Sequence, residues 1–269
     1  MVEFREAQQA AARTGIGMQY VLKEARVFDI WSQICPIILS DEMLSEAKII
    51  CKGGTSLNKI YLGDIQRFSE DIDMDIFFKD DRSKDEKIEF IKNNVIAPLN
   101  SSYTIPKEAR RRNVVHYTCK FKNEINMDDN VFLEFNVGET MTGSNEVTNA
   151  KSTVLPLTVD KVPVYSFHTL IAKKLKAFYE RDEGKDVYDI YSSLKITNEI
   201  GAIIEILKDV LASTDIKYDD FRTNIPKKLQ DGKKMKSLHG STNPYIPKNL
   251  RMGWDIAAKE ILDKIEPHL

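Results

Sequence analysis

The chain has 269 residues, 42% of them hydrophobic and 30% charged, with a formal net charge of −2; that is apolar material for one large core or two modest ones, without a global positive field that gathers nucleic acid indiscriminately. Cys35, Cys51 and Cys119 are widely spaced and form no CxxC pair, which argues against a disulfide framework or a cysteine zinc site and suits a reducing cytosol. No apolar run approaches the roughly 20 residues of a membrane span and the N-terminus has no apolar signal core, so the expected location is the cytoplasm.

Residues 3–36 read as helix, with Tyr20, Val21, Ala25, Phe28 and Trp31 at near-helical spacing and Pro36 just after the end; this looks like scaffold. Residues 47–51 form a short apolar run containing Ile49 and Ile50 and read as a strand stopped by Gly53 and Gly54. Lacking Cβ atoms, a glycine pair turns sharply and lets backbone N–H groups approach a triphosphate, while Thr55 and Ser56 add hydroxyls at the start of the next helix. Asp71, Asp73 and Asp75 then alternate with Ile72, Met74 and Ile76, and the period of two sets the three carboxylates on one face of a strand. Carboxylates so crowded repel, and a divalent cation relieves the repulsion while bridging to substrate phosphates. Asp75 exceeds the usual two-acid pattern and reads as a solvated neighbour.

Residues 83–97 read as a helix stopped by Pro98, and residues 113–121 and 131–137 as strands. In the second strand Glu134 is the one carboxylate among large apolar groups. It is the candidate third acid, completing a metal site or taking the proton of an attacking hydroxyl; an ion-paired surface residue is the plain alternative. Just before the first of these strands, Lys107 to Arg112 makes a compact basic patch that suits an RNA backbone or simply solvent. From residue 166 the pattern is mainly helical. Pro156 and Pro163 mark the division, giving 1–160 as N-terminal helices plus a mixed-sheet catalytic domain and 161–269 as a helical domain, an α+β chain.

Within the helical part, Lys174 and Arg181 share one helix face and can point two cations at one phosphate chain, a solvated helix laced with lysines being the plain alternative, while Asp186 and Asp189 repeat the geometry at i and i+3 on the next helix, placed to orient the cations or touch the metal. A second lysine cluster, Lys227, Lys228, Lys233, Lys234 and Lys236, has the same ambiguity as the first. His116, His168, His239 and His268 are scattered and read as structural or solvated. Trp254 is expected to anchor the last helix, with Asp255 as its cap. No base-stacking aromatic pattern stands out.

GGTSLNK, RFSEDIDMD and IAKKLKAFYERDEGKDVYDIY, occurring in that order, resemble the motifs of the AbiEii/AbiGii family of nucleotidyltransferase-like toxins. The resemblance implies a fold similar to the DNA polymerase β-type nucleotidyltransferases, with a mixed sheet carrying the carboxylates and a helical C-terminal part. It implies an NTP substrate, Mg²⁺ or Mn²⁺, and a cognate antitoxin, often in abortive infection and phage defence. Matched motif by motif, Gly53, Gly54, Thr55 and Ser56 form the phosphate loop, framed by Arg67 and Ser69. Asp71 and Asp73, with Glu134 as third candidate, hold metal. Lys174 and Asp186 fall on the nucleotide-binding and acidic motif positions, with Arg181 and Asp189 beside them. Lys185 stands where the pattern usually has arginine, keeping the charge and losing the bidentate fork. Some relatives modify the 3′ end of tRNA, so RNA is the expected acceptor. A protein or a small molecule such as an aminoglycoside is the second expectation, and a non-catalytic nucleotide- or antitoxin-binding module the third.

Overall fold

The computed structural model describes residues 2–269 apart from the side chain of Lys236. Seven strands form one mixed sheet in the order β3-β4-β5-β2-β1-β7-β6. They are β1 (Ala47–Lys52), β2 (Asp71–Phe78), β3 (Ala109–Arg111), β4 (Val114–Lys122), β5 (Asp128–Asn136), β6 (Asn145–Lys151) and β7 (Thr158–Tyr165). β2 runs antiparallel to β1 and parallel to β5, and β1 is parallel to β7. The acid-bearing strand is therefore central, with its backbone groups paired on both sides.

Alternation along these strands decides which face is dry. Ile72, Met74 and Ile76 of β2 are all buried, as are Val131, Leu133 and Phe135 of β5, and this apolar face packs on α2 (Met18–Ile38) and α5 (Lys84–Ile91) through Phe28, Trp31, Ile88 and Ile91. Each such fully buried side chain contributes about 1.5–3 kcal/mol of transfer free energy, so the strand is held in register by its apolar half while the acids take the other face. The N-terminal stretch is two helices rather than the one expected: α1 (Phe4–Thr14) ends where Gly15 adopts φ +67°, a left-handed cap, and α2 follows. Pro36 lies inside the last turn of α2, not beyond it. α3 (Asp41–Glu46), capped by Ser40, leads into β1.

The helix expected over 83–97 is regular only through α5; it continues as a π turn, Lys92–Ile96, and a 3₁₀ turn, Ala97–Ser101, which Pro98 opens rather than stops. β6 and β7 escaped the sequence pattern. β6 is a polar edge strand, and β7 carries Pro163 and a left-handed Lys161 beside a register shift, which disrupt the period of two. Since β7 pairs with β1, a division at residue 160 would cut through the sheet; the helical part begins with α6 (Phe167–Glu180).

α6 is followed by α7 (Gly184–Lys195), α8 (Ile200–Ala212), α9 (Tyr218–Gln230), α10 (Gly232–Thr242) and α11 (Trp254–Ile265). These helices close on a second core that includes Leu175, Phe178, Ile190, Leu207, Phe221 and Trp254. Trp254 anchors α11 as expected, but the N-cap is Gly253, and Asp255 sits in the first turn. α6 is the seam: Leu170 belongs to the sheet core and its neighbour Ile171 to the helical one. All three cysteines are buried and free. Among the described residues no helix is long and apolar enough to cross a membrane.

Candidate active site

Strand register builds the site. Lys52 pairs with Asp73, Asp73 with Glu134, Glu134 with His116 and His116 with Ala109, so these residues form one row across the polar face of β1, β2, β5, β4 and β3. The next row holds Asp71 beside Phe132. Burial, then the charge of Asp73, pushes the Asp71 carboxyl up to about 6, with Lys185 opposing. Burial and Asp73 likewise raise Glu134, against His116, whose Nδ1 lies 3.0 Å from Glu134 Oε1. Asp75 is not the solvated neighbour expected: it is fully buried, accepts a hydrogen bond of 2.8 Å from the Tyr165 hydroxyl and pairs with Lys52 and with Lys173 at 3.2 Å.

The glycine loop wraps over this face. Gly53 has φ +78°, and a Cβ there would fall 2.0 Å from Asp73 Oδ2, so glycine is required by backbone and neighbour alike. A Cβ on Gly54 would meet Arg67 Nη2 at 2.3 Å. α4 (Gly53–Ser56) runs on as a π turn, Leu57–Tyr61. Its hydroxyls turn inward, contrary to the expected display toward phosphate. Thr55 donates to the Asp71 carbonyl and shares a 2.5 Å hydrogen bond with the Ser69 hydroxyl, stitching the loop to the strand entry. The Ser56 hydroxyl is buried and has no hydrogen-bond partner among the described residues.

Arg67 and Asp189, expected at the substrate, lie behind the loop. The guanidinium grips the carboxylate through Nε–Oδ1 at 2.9 Å and Nη2–Oδ2 at 2.7 Å, both side chains buried. Asn58 completes the brace: its amide nitrogen donates to the Gly54 carbonyl and to Asp189 Oδ1, each at 2.8 Å, and its oxygen accepts from the Arg67 backbone N–H. Lys174 pairs with Asp186 at 2.7 Å and Asp189 at 3.1 Å, and Arg181 reaches Asp186 at 3.0 Å. Burial alone would lower the Lys174 ammonium, but the two aspartates outweigh it and raise it. Lys185 lies 3.7 Å from Glu70 and rests over the Tyr245 ring. Below the loop, Lys59 is buried on the Glu24 carboxylate at 2.6 Å, and the Ser152 hydroxyl donates to the other Glu24 oxygen at 2.5 Å.

A cleft of about 410 Å³ opens between the sheet face and α6, lined among others by Gly53, Asp73, Glu134, Lys173, Lys174 and Arg181. Of the expected site residues, Gly53, Asp73, Glu134, Lys174 and Arg181 thus line one cleft, Asp71 flanks Asp73 on its strand, and Gly54, Thr55, Ser56, Arg67, Ser69, Asp186 and Asp189 support it. Lys52, Asn58, His116, Phe132, Glu139 and Lys173 were not singled out for the site. Only register, invisible in a single sequence, brings His116 and Phe132 to it. Asn58 at least lies within the quoted GGTSLNK. In the first basic patch Arg110 is taken by Asp85 and Glu108, while Arg111 and Arg112 are exposed. In the second, Lys228 and Lys234 hold Asp182, and the Lys236 side chain lies outside the described residues.

Among the described residues no three His, Cys, Asp or Glu side chains are already gathered as a metal cage. The donor set nevertheless fits a hard divalent cation: Asp71, Asp73 and Glu134 offer oxygens from adjacent strands, and the proton affinity of Asp71 and Glu134, raised first by burial and then by the charge of Asp73, is a cost of ionisation that such an ion offsets.

A mixed sheet with alternating aspartates beside a Gly-Gly loop, roofed by a helical layer that supplies cations, defines the protein as a nucleotidyltransferase of α+β fold. More narrowly, the model of the nucleotidyl transferase AbiEii toxin family, of type IV toxin–antitoxin systems, matches residues 38–267, and the chain belongs to that family. Among solved structures, MenT4, a nucleotidyltransferase toxin from Mycobacterium tuberculosis H37Rv, superposes with a TM-score of 0.66 at 16% identity, over 96% of this chain and 89% of that one. An antigenic nucleotidyltransferase-like protein from Paracoccidioides brasiliensis aligns more loosely, with a TM-score of 0.40 at 17% identity, over 68% of this chain and 87% of that one. No curated protein sequence matches the chain.

Proposed function

We propose that the chain transfers a nucleotide from an NTP to the end of an RNA, with tRNA as the expected acceptor, in the cytoplasm, and that a cognate antitoxin neutralises it. The row Lys52, Asp73 and Glu134 on the cleft wall, continued by His116 on the next strand, is the observation that carries this reading. Asp71 and Asp73 would hold Mg²⁺ or Mn²⁺, which when bound would supply charge neutralisation at the phosphates, while Glu134 on the adjacent strand is left to act as the base. The Gly53–Gly54 backbone would approach the triphosphate, glycine at 53 leaving room for the Asp73 carboxylate and glycine at 54 for the Arg67 guanidinium behind the loop. Lys174 and Arg181, set in place by Asp186, present positive charge to it from α6. The acceptor hydroxyl attacks the α-phosphorus, forming a P–O bond as the bond to the β-phosphate oxygen breaks and pyrophosphate leaves. Its proton passes to Glu134, whose proton affinity burial has raised and which His116 steadies. Positioning and electrostatics thus do most of the catalysis.

Two features favour RNA as acceptor. Phe132 is 41% exposed directly beside Asp71, where an unstacked terminal base can lie on its ring, and Arg111 pairs with Val114 at the rim of the cleft. Purified protein incubated with Mg²⁺, each labelled NTP and total cellular RNA should label a tRNA-sized band. Asp73→Ala should abolish the band, and Phe132→Ala should raise the KM for RNA by about tenfold, within the range of base-stacking energies. Label on protein or small molecules but not RNA would move the acceptor to those classes, and full activity of Asp73→Ala would overturn the carboxylate assignment.

A further inference from the structure

Lys52 and Lys173 carry charge toward the cleft, yet neither falls on a phosphate-binding motif position. They share one buried carboxylate: Lys52 pairs with Asp75 Oδ1 and Lys173 with Oδ2 at 3.2 Å, while the Tyr165 hydroxyl also donates to Oδ2. One aspartate between two ammonium groups leaves a net positive charge. Glu139 balances it, with Oε2 3.0 Å from Lys173 and Oε1 3.7 Å from Lys52. Asp75 and Glu139 differ in what holds them. Asp75 is sealed in the sheet, whereas Glu139 stands on the connection from β5 to β6 with its side chain 31% exposed. Among the described residues its side chain makes polar contact with these two lysines alone. It can therefore leave for water without abandoning a buried charge, and its departure frees two preset ammonium groups.

The neighbouring cations are committed differently. Lys174 is matched by two fully buried aspartates, and Lys176 by Glu180 on its own helix. Lys52 adjoins Gly53 and faces Asp73 in register, so its ammonium lies where the phosphates of a nucleotide seated on the loop must pass. We propose that Lys52 and Lys173 form a subsite for the terminal phosphates of the NTP and of the departing pyrophosphate, and that Glu139 occupies it as a stand-in anion until the nucleotide displaces it. This rests on the nucleotidyl-transfer reading and adds to it a second phosphate grip beside that of Lys174 and Arg181. Asp75 is the positioning residue: it fixes the spacing of the two ammonium groups and has no exposed surface of its own. A phosphate oxygen between two preset lysines makes charge-assisted hydrogen bonds that require little side-chain ordering.

Calorimetric titration of the full chain with each Mg–NTP and with inorganic tripolyphosphate tests the subsite. Glu139→Gln, which removes the competing charge on an exposed loop, should tighten tripolyphosphate binding about tenfold, the change that about 1.4 kcal/mol produces. Lys173→Gln should weaken it by a similar factor, and the gain from Glu139→Gln should vanish in the double variant. Should Lys173→Gln fail to fold, Glu139→Gln alone decides the matter. Wild-type binding with both single variants unchanged overturns the subsite and leaves the transfer reading standing. Wild type that binds neither NTP nor tripolyphosphate overturns both.

Discussion

Asp71 shows how one side chain ties stability to the task of the site. Its folded proton affinity, raised to about 6 from the ordinary 3.8, lies above that of the unfolded chain. The folded state therefore takes up a proton first as the pH falls, so this group adds stability on acidification from about 6 toward 4 and loses it as the pH rises back through that window. At neutral pH, without metal, the ionised Asp71 is a burden. Asp71→Asn should raise the unfolding free energy at pH 7.5 in EDTA by about 1–2 kcal/mol, discounted from the full shift for partial exposure, and flatten the dependence between pH 4 and 6. Added Mn²⁺ should stabilise wild type more than the variant, because an ion that binds only the folded state contributes by mass action. Thermal unfolding at the two pH values, with and without Mn²⁺, checks both, and a variant less stable than wild type in EDTA would show that Asp71 supports the fold.

At the scale of elements, the glycine loop and α7 are joined by the buried Arg67–Asp189 pair with Asn58 between them. Neutralising one partner strands the other charge. Asp189→Asn should cost about 3–5 kcal/mol in denaturant unfolding, as for other broken buried pairs. The cost of Arg67→Met with Asp189→Leu should fall well short of the summed single costs, because the double change leaves no stranded guanidinium; additive costs would show that the pair is not coupled. This element also marks how far the sequence was legible. The loop, the acid strand and the α6–α7 constellation were readable because glycine pairs, period-two acids and helical spacing are local signals. Which of those charges turn inward was not. Arg67 and Asp189 are far apart in the chain and meet only through the packing of α7 on the loop, so they looked like substrate ligands. β7 was hidden by Pro163 and the left-handed Lys161, and the polar edge strand β6 that pairs with it was hidden too. Glu134 was legible as an acid in an apolar strand, whereas its place beside Asp73 depended on a parallel pairing that no short-range pattern encodes.

For the whole molecule, α6 decides how the two cores behave. Its Leu170 side seals the sheet core and its Ile171 side the helical one, while Lys174 binds Asp186 and Asp189 across to α7. Neither core is closed without this helix. Calorimetric unfolding should therefore give one transition with equal calorimetric and van't Hoff enthalpies; two resolved transitions would mean that the sheet and the helical layer are independent.

The buried bond between Glu24 and Lys59 reaches beyond the segment that the family model matches. Lys59 stands on the π turn just after the glycine loop, inside the matched span of 38–267, but its carboxylate partner comes from α2, ahead of that span. The catalytic segment is therefore not a portable cassette in this protein. Grafted onto N-terminal helices without an acid at this position, it would carry a desolvated ammonium with no counter-charge directly beneath the loop. Exchange of parts between relatives is limited to those that bring a matching acid to the same turn of their own helix.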